Sequence, residues 1–219
     1  MPIFDTQFIK ERFKKLLIKN GYSYKSLGWG KGGRQNLRFS ILTKDIKKNS
    51  SVLDLGCGFG DLLKFLKEEI DFEGQYTGVD LVEGMLKIGK ENHKNANFIN
   101  SDVSNGLPEI PKHDFVIASG LMNLKLNSSN NKEYIEHILK IMFEKSKVSL
   151  ACDFMTTKVD FQNEIAWHTD PSWVINIASS LTKRWLLRND YMPYEFSLIL
   201  YKDQNINSSS VFSSINNKY

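Results

Sequence analysis

The chain has 219 residues, 41% of them hydrophobic and 12% aromatic, enough to bury one α/β core and too few for two comfortable domains. Its formal charge of +4 is spread along the chain and forms no basic block, which argues against nucleic acid as a partner. Cys57 and Cys152 belong to no C-x-x-C pair, so neither a disulfide framework nor a zinc site is expected. No apolar run reaches membrane-spanning length, and Asp5, Lys10, Glu11 and Arg12 interrupt what a signal peptide would keep apolar. The expectation is a soluble cytoplasmic protein.

Residues 4 to 20 predict an amphipathic helix, with Ile9, Phe13, Leu16 and Leu17 at helical spacing and Gly21 as its stop. Gly28-Trp29-Gly30-Lys31-Gly32-Gly33 is too glycine-rich for regular structure and reads as a loop that moves or wraps a ligand. A helical pattern resumes over Asn36 to Ile46. Then comes Ser51 to Leu63, SVLDLGCGFGDLL. Val52, Leu53 and Leu55 read as a buried parallel strand, and Gly56, Gly58 and Gly60 place three residues without a Cβ in one turn before an apolar helix. The spacing is G-x-G-x-G, not the G-x-G-x-x-G of dinucleotide folds, and Asp54 would repel a pyrophosphate but suit a cationic ligand.

That D-L-G-C-G-F-G run closely resembles motif I of the class I S-adenosyl-L-methionine (AdoMet) dependent methyltransferases. The resemblance implies that Asp54, Gly56, Cys57, Gly58 and Gly60 form the cofactor turn. It also makes Gln35 and Arg38 candidates to hold the cofactor carboxylate, Arg38 by a charge-assisted fork; a surface arginine is the alternative. Asp61 to Glu69 follows as a helix, then the strand Gln75 to Asp80. Asp80 lies twenty residues beyond Gly60 and matches motif II, where a carboxylate accepts from ribose hydroxyls and Leu81 lies beside it. A helix cap is its other reading. Asn97 to Asp102 reads as a third strand, and Asp102 with Val103 resembles the family's adenine clamp, with turn chemistry as the alternative.

Asp114 to Ser119 reads as the fourth strand, followed by Gly120-Leu121-Met122-Asn123. Enzymes that methylate exocyclic base amines carry Asn or Asp before two prolines here, so that activity is not expected. C5 methylation of bases needs a cysteine nucleophile, and neither cysteine is suitably placed. By the resemblance, Ser119 and Gly120 lie where the methionine end of the cofactor would pass. Asn130 and Glu133 start a helix through Met142, and Val148 to Phe154 gives the fifth strand. Residues 155 to 171 show no periodicity, and Asp170-Pro171 opens another helix. Lys183 to Asp190 and Tyr194 to Lys202, joined by Tyr191-Met192-Pro193, predict an antiparallel pair.

The expected fold is therefore α/β: a Rossmann-like class I methyltransferase sheet of seven mostly parallel strands, with an antiparallel C-terminal hairpin strand and helices on both faces. Residues 1–50 are expected to cover the cofactor, 51–203 to form the core and 204–219 to be a disordered tail. The function expected is AdoMet-dependent methyl transfer to a small molecule, at a hydroxyl of a sugar or metabolite. An RNA methyltransferase and a non-catalytic AdoMet-binding scaffold stay open as alternatives. No metal and no membrane partner are expected. On the acceptor side His168, in the loop leaving the fifth strand, is the expected general base, with Tyr191 and Tyr194 orienting the acceptor; packing beside Trp167 is the alternative for His168.

Overall fold

A computed structural model of the chain describes residues 5–28, 34–127 and 130–203. Alternating strands and helices make one sheet with helices on both faces. The elements are α1 (Thr6–Asn20), α2 (Arg34–Leu42), β1 (Val52–Leu55), α3 (Asp61–Ile70), β2 (Tyr76–Asp80), α4 (Glu83–Asn92), β3 (Asn97–Asn100), β4 (His113–Ala118), α5 (Asn131–Lys145), β5 (Ser146–Thr156), β6 (His168–Thr169), α6 (Pro171–Leu181), β7 (Trp185–Arg188) and β8 (Glu195–Tyr201). The strand order is β3-β2-β1-β4-β5-β8-β7, with the two-residue β6 paired to β5. Strands β1 to β5 are parallel, β8 runs antiparallel between β5 and β7, and β7 therefore runs with the central strands.

Alternation along the strands divides the core. Leu53, Leu55, Val116, Cys152, Phe196 and Leu198 face α5 and α6 through Ile135, Ile138, Met142, Val174 and Ala178. Val52, Ile117, Ala151 and Ile199 face α2 and α3 through Phe39, Leu42, Leu62, Phe65 and Leu66. Helix α2 is thus part of the core and not of a separate cover, because Phe39 and Leu42 are both under 5% exposed. Helix α1 has no buried residue. It rests across the sheet's edge, with Leu17 against the Gly84 backbone and the following Tyr22 edge-on to Phe59. Asp170 starts α6 as expected: its side chain accepts from the Ser172 amide and Pro171 occupies the first turn.

β6 was not anticipated. It forms because the Thr157 amide donates to the Thr169 carbonyl and His168 pairs with Met155, which folds residues 157–167 back onto the end of β5. The anticipated tail, residues 204–219, and the glycine run 29–33 lie outside the described residues. Among the described residues no helix is long and apolar enough to cross a membrane.

Candidate active site

Parallel strands deliver their carboxyl ends to one edge, and loops there shape ligand sites. After β1 the backbone turns through Gly56 and Gly58 at φ 73° and 54°, a left-handed region that strains other residues. The Gly56 and Cys57 amides both donate to the Val79 carbonyl, at 2.8 and 3.1 Å, holding the turn against β2. A Cβ on Gly56 would meet Leu121 Cδ1 at 3.0 Å, and one on Gly58 would overlap Leu27 Cδ2 at 2.7 Å. Gly60 serves differently. Its φ of 79° starts α3, and a Cβ there would strike Phe98 at 2.8 Å, so packing, not contact with a ligand, requires this glycine.

Under the turn lies Asp54, 4% exposed, whose Oδ2 accepts from the Tyr76 hydroxyl at 2.6 Å. Burial pushes its carboxyl up to about 7, against the pull of the Tyr76 hydrogen bond and with help from the nearby Asp80 charge. A carboxyl in that state gains from an arriving cation. Asp80, ending β2, accepts from the Gly58 amide at 2.8 Å and the Val82 amide at 2.8 Å, while burial raises its pKa against those bonds. It pins the glycine turn and shapes the entry to α4 as well as lining the cavity. Asp102 accepts from the Ser104 amide and hydroxyl at 2.9 and 2.6 Å, from Asn105 Nδ2 at 2.8 Å and from the Thr6 hydroxyl of α1. The turn chemistry offered as its alternative is realised, and the helix above is tied to it.

These groups open into a cavity of about 480 Å³ beneath α1. Asp54, Gly56, Cys57, Asp80 and Leu81 line one part, and Asp102, Val103, Ser119 and Gly120 the next. Gln35 and Arg38 reach it from α2, and His168 and Tyr194 from the far side; Gly58, Gly60 and Tyr191 are outside its lining. Cys57 packs on the Gly78 backbone, and burial pushes its thiol well up, so it is a small inert wall residue.

Three expectations need correction. The Arg38 fork is already filled: Nε donates to Glu195 Oε2 at 2.6 Å and Nη2 to Glu195 Oε1, both residues being 5% exposed. Burial works to lower the Arg38 pKa, and the Glu195 bond and charge outweigh it. His168 is 7% exposed with both ring nitrogens engaged, Nδ1 donating to the Thr156 carbonyl at 2.8 Å and Nε2 accepting from the Asn163 amide at 3.1 Å. In this geometry it holds a loop and has no lone pair for a substrate proton. Tyr191 turns back to the sheet, where its hydroxyl accepts from Ser197 Oγ at 2.7 Å.

The sequence reading missed the acids behind this wall. Asp153, fully buried on β5, accepts from Ser119 Oγ at 2.8 Å, the Gly120 amide at 3.0 Å and Asn123 Nδ2 at 3.0 Å. Burial and the neighbouring Glu195 charge raise its pKa to about 6, while Arg38 opposes them. Asp153 thereby fixes the turn after β4 that the cavity touches. An acid between apolar neighbours, in ACDFM and again in YEFSL, was the available signal. Arg12 on α1 and Arg34 on α2 also line the cavity, and no sequence motif marks them.

Residues 52–144 match the model of a methyltransferase domain family. A Mycobacterium tuberculosis protein named as a methyltransferase, Rv1506c, is 28% identical over 161 residues, covering 69% of this chain and 93% of that protein. The demethylmenaquinone methyltransferase of Listeria welshimeri is 39% identical over 85 residues, 36% of each chain, so this chain spans about a third of that relative's length. Among solved structures, the magnesium protoporphyrin IX methyltransferase of Synechocystis with bound SAM superposes with a TM-score of 0.65 at 15% identity, over 92% of this chain and 99% of that one. Streptomyces venezuelae DesVI gives 0.61 at 12% identity, over 80% and 95%.

Proposed function

We propose that the chain, whose residues 52–144 match a methyltransferase domain family, acts as a class I S-adenosylmethionine-dependent methyltransferase on a hydroxyl of a small-molecule metabolite. The observation that carries the proposal is the continuity of one cavity, from the bare glycine turn and its acids to Tyr194 on the opposite side. Its far side leaves room for a small acceptor beside the groups assigned to the cofactor.

When bound, AdoMet supplies a methyl on a sulfonium, which passes to an acceptor lone pair as the carbon–sulfur electron pair stays on sulfur and S-adenosylhomocysteine results. The protein's part is mainly geometric. Asp54 offers a buried carboxylate to the positive end of the cofactor, Asp80 its ribose-side acceptor, and the backbone at Gly56 an approach unobstructed by side chain. Ser119 and Gly120, held by Asp153, fix the methionine end. With Arg38 engaged by Glu195, Arg12, Arg34 and Gln35 are the groups we assign to the cofactor carboxylate. Residues 6–28 act as a cover, latched by Thr6 to Asp102. With His168 committed to backbone, the acceptor proton leaves to water.

The test is methyl transfer from labelled AdoMet, screened over hydroxylated metabolites, sugar nucleotides and RNA, with S-adenosylhomocysteine as the readout. Turnover with a small hydroxylated acceptor, lost in Asp80→Ala, is expected. Salt-sensitive turnover on RNA alone, or AdoMet binding with no turnover on any class, would overturn the proposal.

A further inference from the structure

The far half of the cavity is mainly apolar, and most of the polar atoms there are already spent on the chain itself. His168 gives both nitrogens to backbone. Asn163 Oδ1 accepts from the Ile165 amide at 3.0 Å, and Asn123 donates to Asp153 while its Oδ1 accepts from the Met155 amide at 2.9 Å. What faces the space are Leu124, Met155, Phe161, Ile165, Ala166 and Tyr194.

Three of these are left in water. Phe161 is 63% exposed, Ile165 55% and Tyr194 36%, and the Phe161 and Tyr194 rings lie 5.5 Å apart at 57°. Large apolar side chains gathered at the mouth of a cavity, instead of scattered over a surface, mark a place where an apolar ligand completes the packing. The backbone at Ile165 and Tyr194 is held in place, the Tyr194 carbonyl accepting from the Thr156 amide at 3.0 Å. The Lys125 amide donates to the Ile165 carbonyl at 3.1 Å and the Trp167 amide to the Asn123 carbonyl at 2.9 Å, so residues 163–167 are stapled to the segment after β4. A site fixed before its ligand arrives loses little entropy on binding.

We propose that this half binds a flat, apolar ring carrying the acceptor hydroxyl, packed against the Phe161–Tyr194 ring pair, and that it discriminates against sugars. The inference rests on the methyltransferase reading and narrows its substrate. A sugar presents several hydroxyls, each needing a partner, and this wall offers fewer partners than a sugar has hydroxyls, so some would be buried unpaired at a cost. A ring with a single hydroxyl leaves fewer such bonds unmade and gains packing on the aromatic pair.

The experiment is calorimetry on the full chain loaded with S-adenosylhomocysteine, titrated with 2-naphthol or with methyl β-D-glucopyranoside. Expected are a Kd for 2-naphthol at least about tenfold below that for the glucoside, and a further loss of about tenfold in Phe161→Ala. Tyr194→Phe should bind the ring as wild type does, and Tyr194→Ala should not. Both positions are exposed, so the variants fold, and an unchanged S-adenosylhomocysteine affinity verifies it. Equal or tighter binding of the glucoside, or ring binding indifferent to Phe161→Ala, would overturn the inference and leave the methyltransferase reading standing. Failure of wild-type protein to bind S-adenosylhomocysteine would instead remove both.

Discussion

Replacing Glu195 with Gln probes how the cavity wall is held. Arg38 on α2 and Glu195 on β8 are each 5% exposed and joined by two N–H···O contacts. The substitution keeps shape and removes charge. A guanidinium cannot shed its proton, so Arg38 stays ionised in a buried site, with Asp153 the nearby acid left to balance it. Removing one partner of a buried pair costs about 3 to 5 kcal/mol, and the residual Asp153 charge sets the expectation near the lower end, about 3 kcal/mol. With a urea m-value of about 2 kcal/mol per molar for a domain of this size, the midpoint should fall by about 1.5 M. Glu195 is also the charge that, after burial, raises the Asp153 carboxyl, so the variant should bring Asp153 below about 6. Urea unfolding followed by tryptophan fluorescence measures the first effect, and NMR titration of the carboxyl the second. Exchanging both partners, Arg38→Met with Glu195→Leu, should recover most of the loss. A loss under about 1 kcal/mol in Glu195→Gln would mean that water reaches the pair, and would refute the reasoning.

Three other outcomes are expected. Because Asp54 titrates near 7 folded and near 3.8 unfolded, the native chain holds the extra proton; the stability it contributes is full below about pH 4 and is lost as pH rises through 7. Urea midpoints should therefore fall across that window and flatten in Asp54→Asn, while AdoMet affinity rises with pH near 7 and buffer-dependent heats report proton release. His168→Ala should cost about 1 to 3 kcal/mol of stability and raise the acceptor KM, with the pH profile of kcat unmoved; a drop of roughly 10² to 10⁴ in kcat at saturating acceptor would restore the general base. Gly56→Val should lose AdoMet affinity and about 1 to 2 kcal/mol of stability, since its φ of 73° is left-handed and Leu121 lies 3.0 Å from the new Cβ; calorimetry showing wild-type affinity would remove the glycine turn from the site.

The sheet was legible because its signals are local. Apolar runs in LDL, TGVD and DFVIAS needed only their flanking turns, and the glycine turn announced itself by spacing. What stayed hidden depends on partners far away in the chain. Arg38 reads as a free fork until β8 brings Glu195 against it, and His168 reads as a loop base until β6 forms and both nitrogens find backbone. The core face of α2 is hidden for the same reason, since only the packed sheet reveals that Phe39 and Leu42 belong beneath it. Asp102 shows a milder case, a turn acceptor that also lines the cavity.

The place of β8 has a consequence for how the molecule is made. β5 is eleven residues long, and β8, near the end of the described chain, pairs with seven of them. On a ribosome β5 emerges well before its neighbour, so for that interval it presents an unpaired apolar border to anything extended nearby. Closure needs contacts between residues 157 apart in sequence, as in Arg38 with Glu195, and such distant pairings form slowly. The acid and the arginine that complete the cavity wall meet only in that final docking, so chains stalled or truncated before residue 195 expose an aggregation-prone border and leave Arg38 without its Glu195 partner.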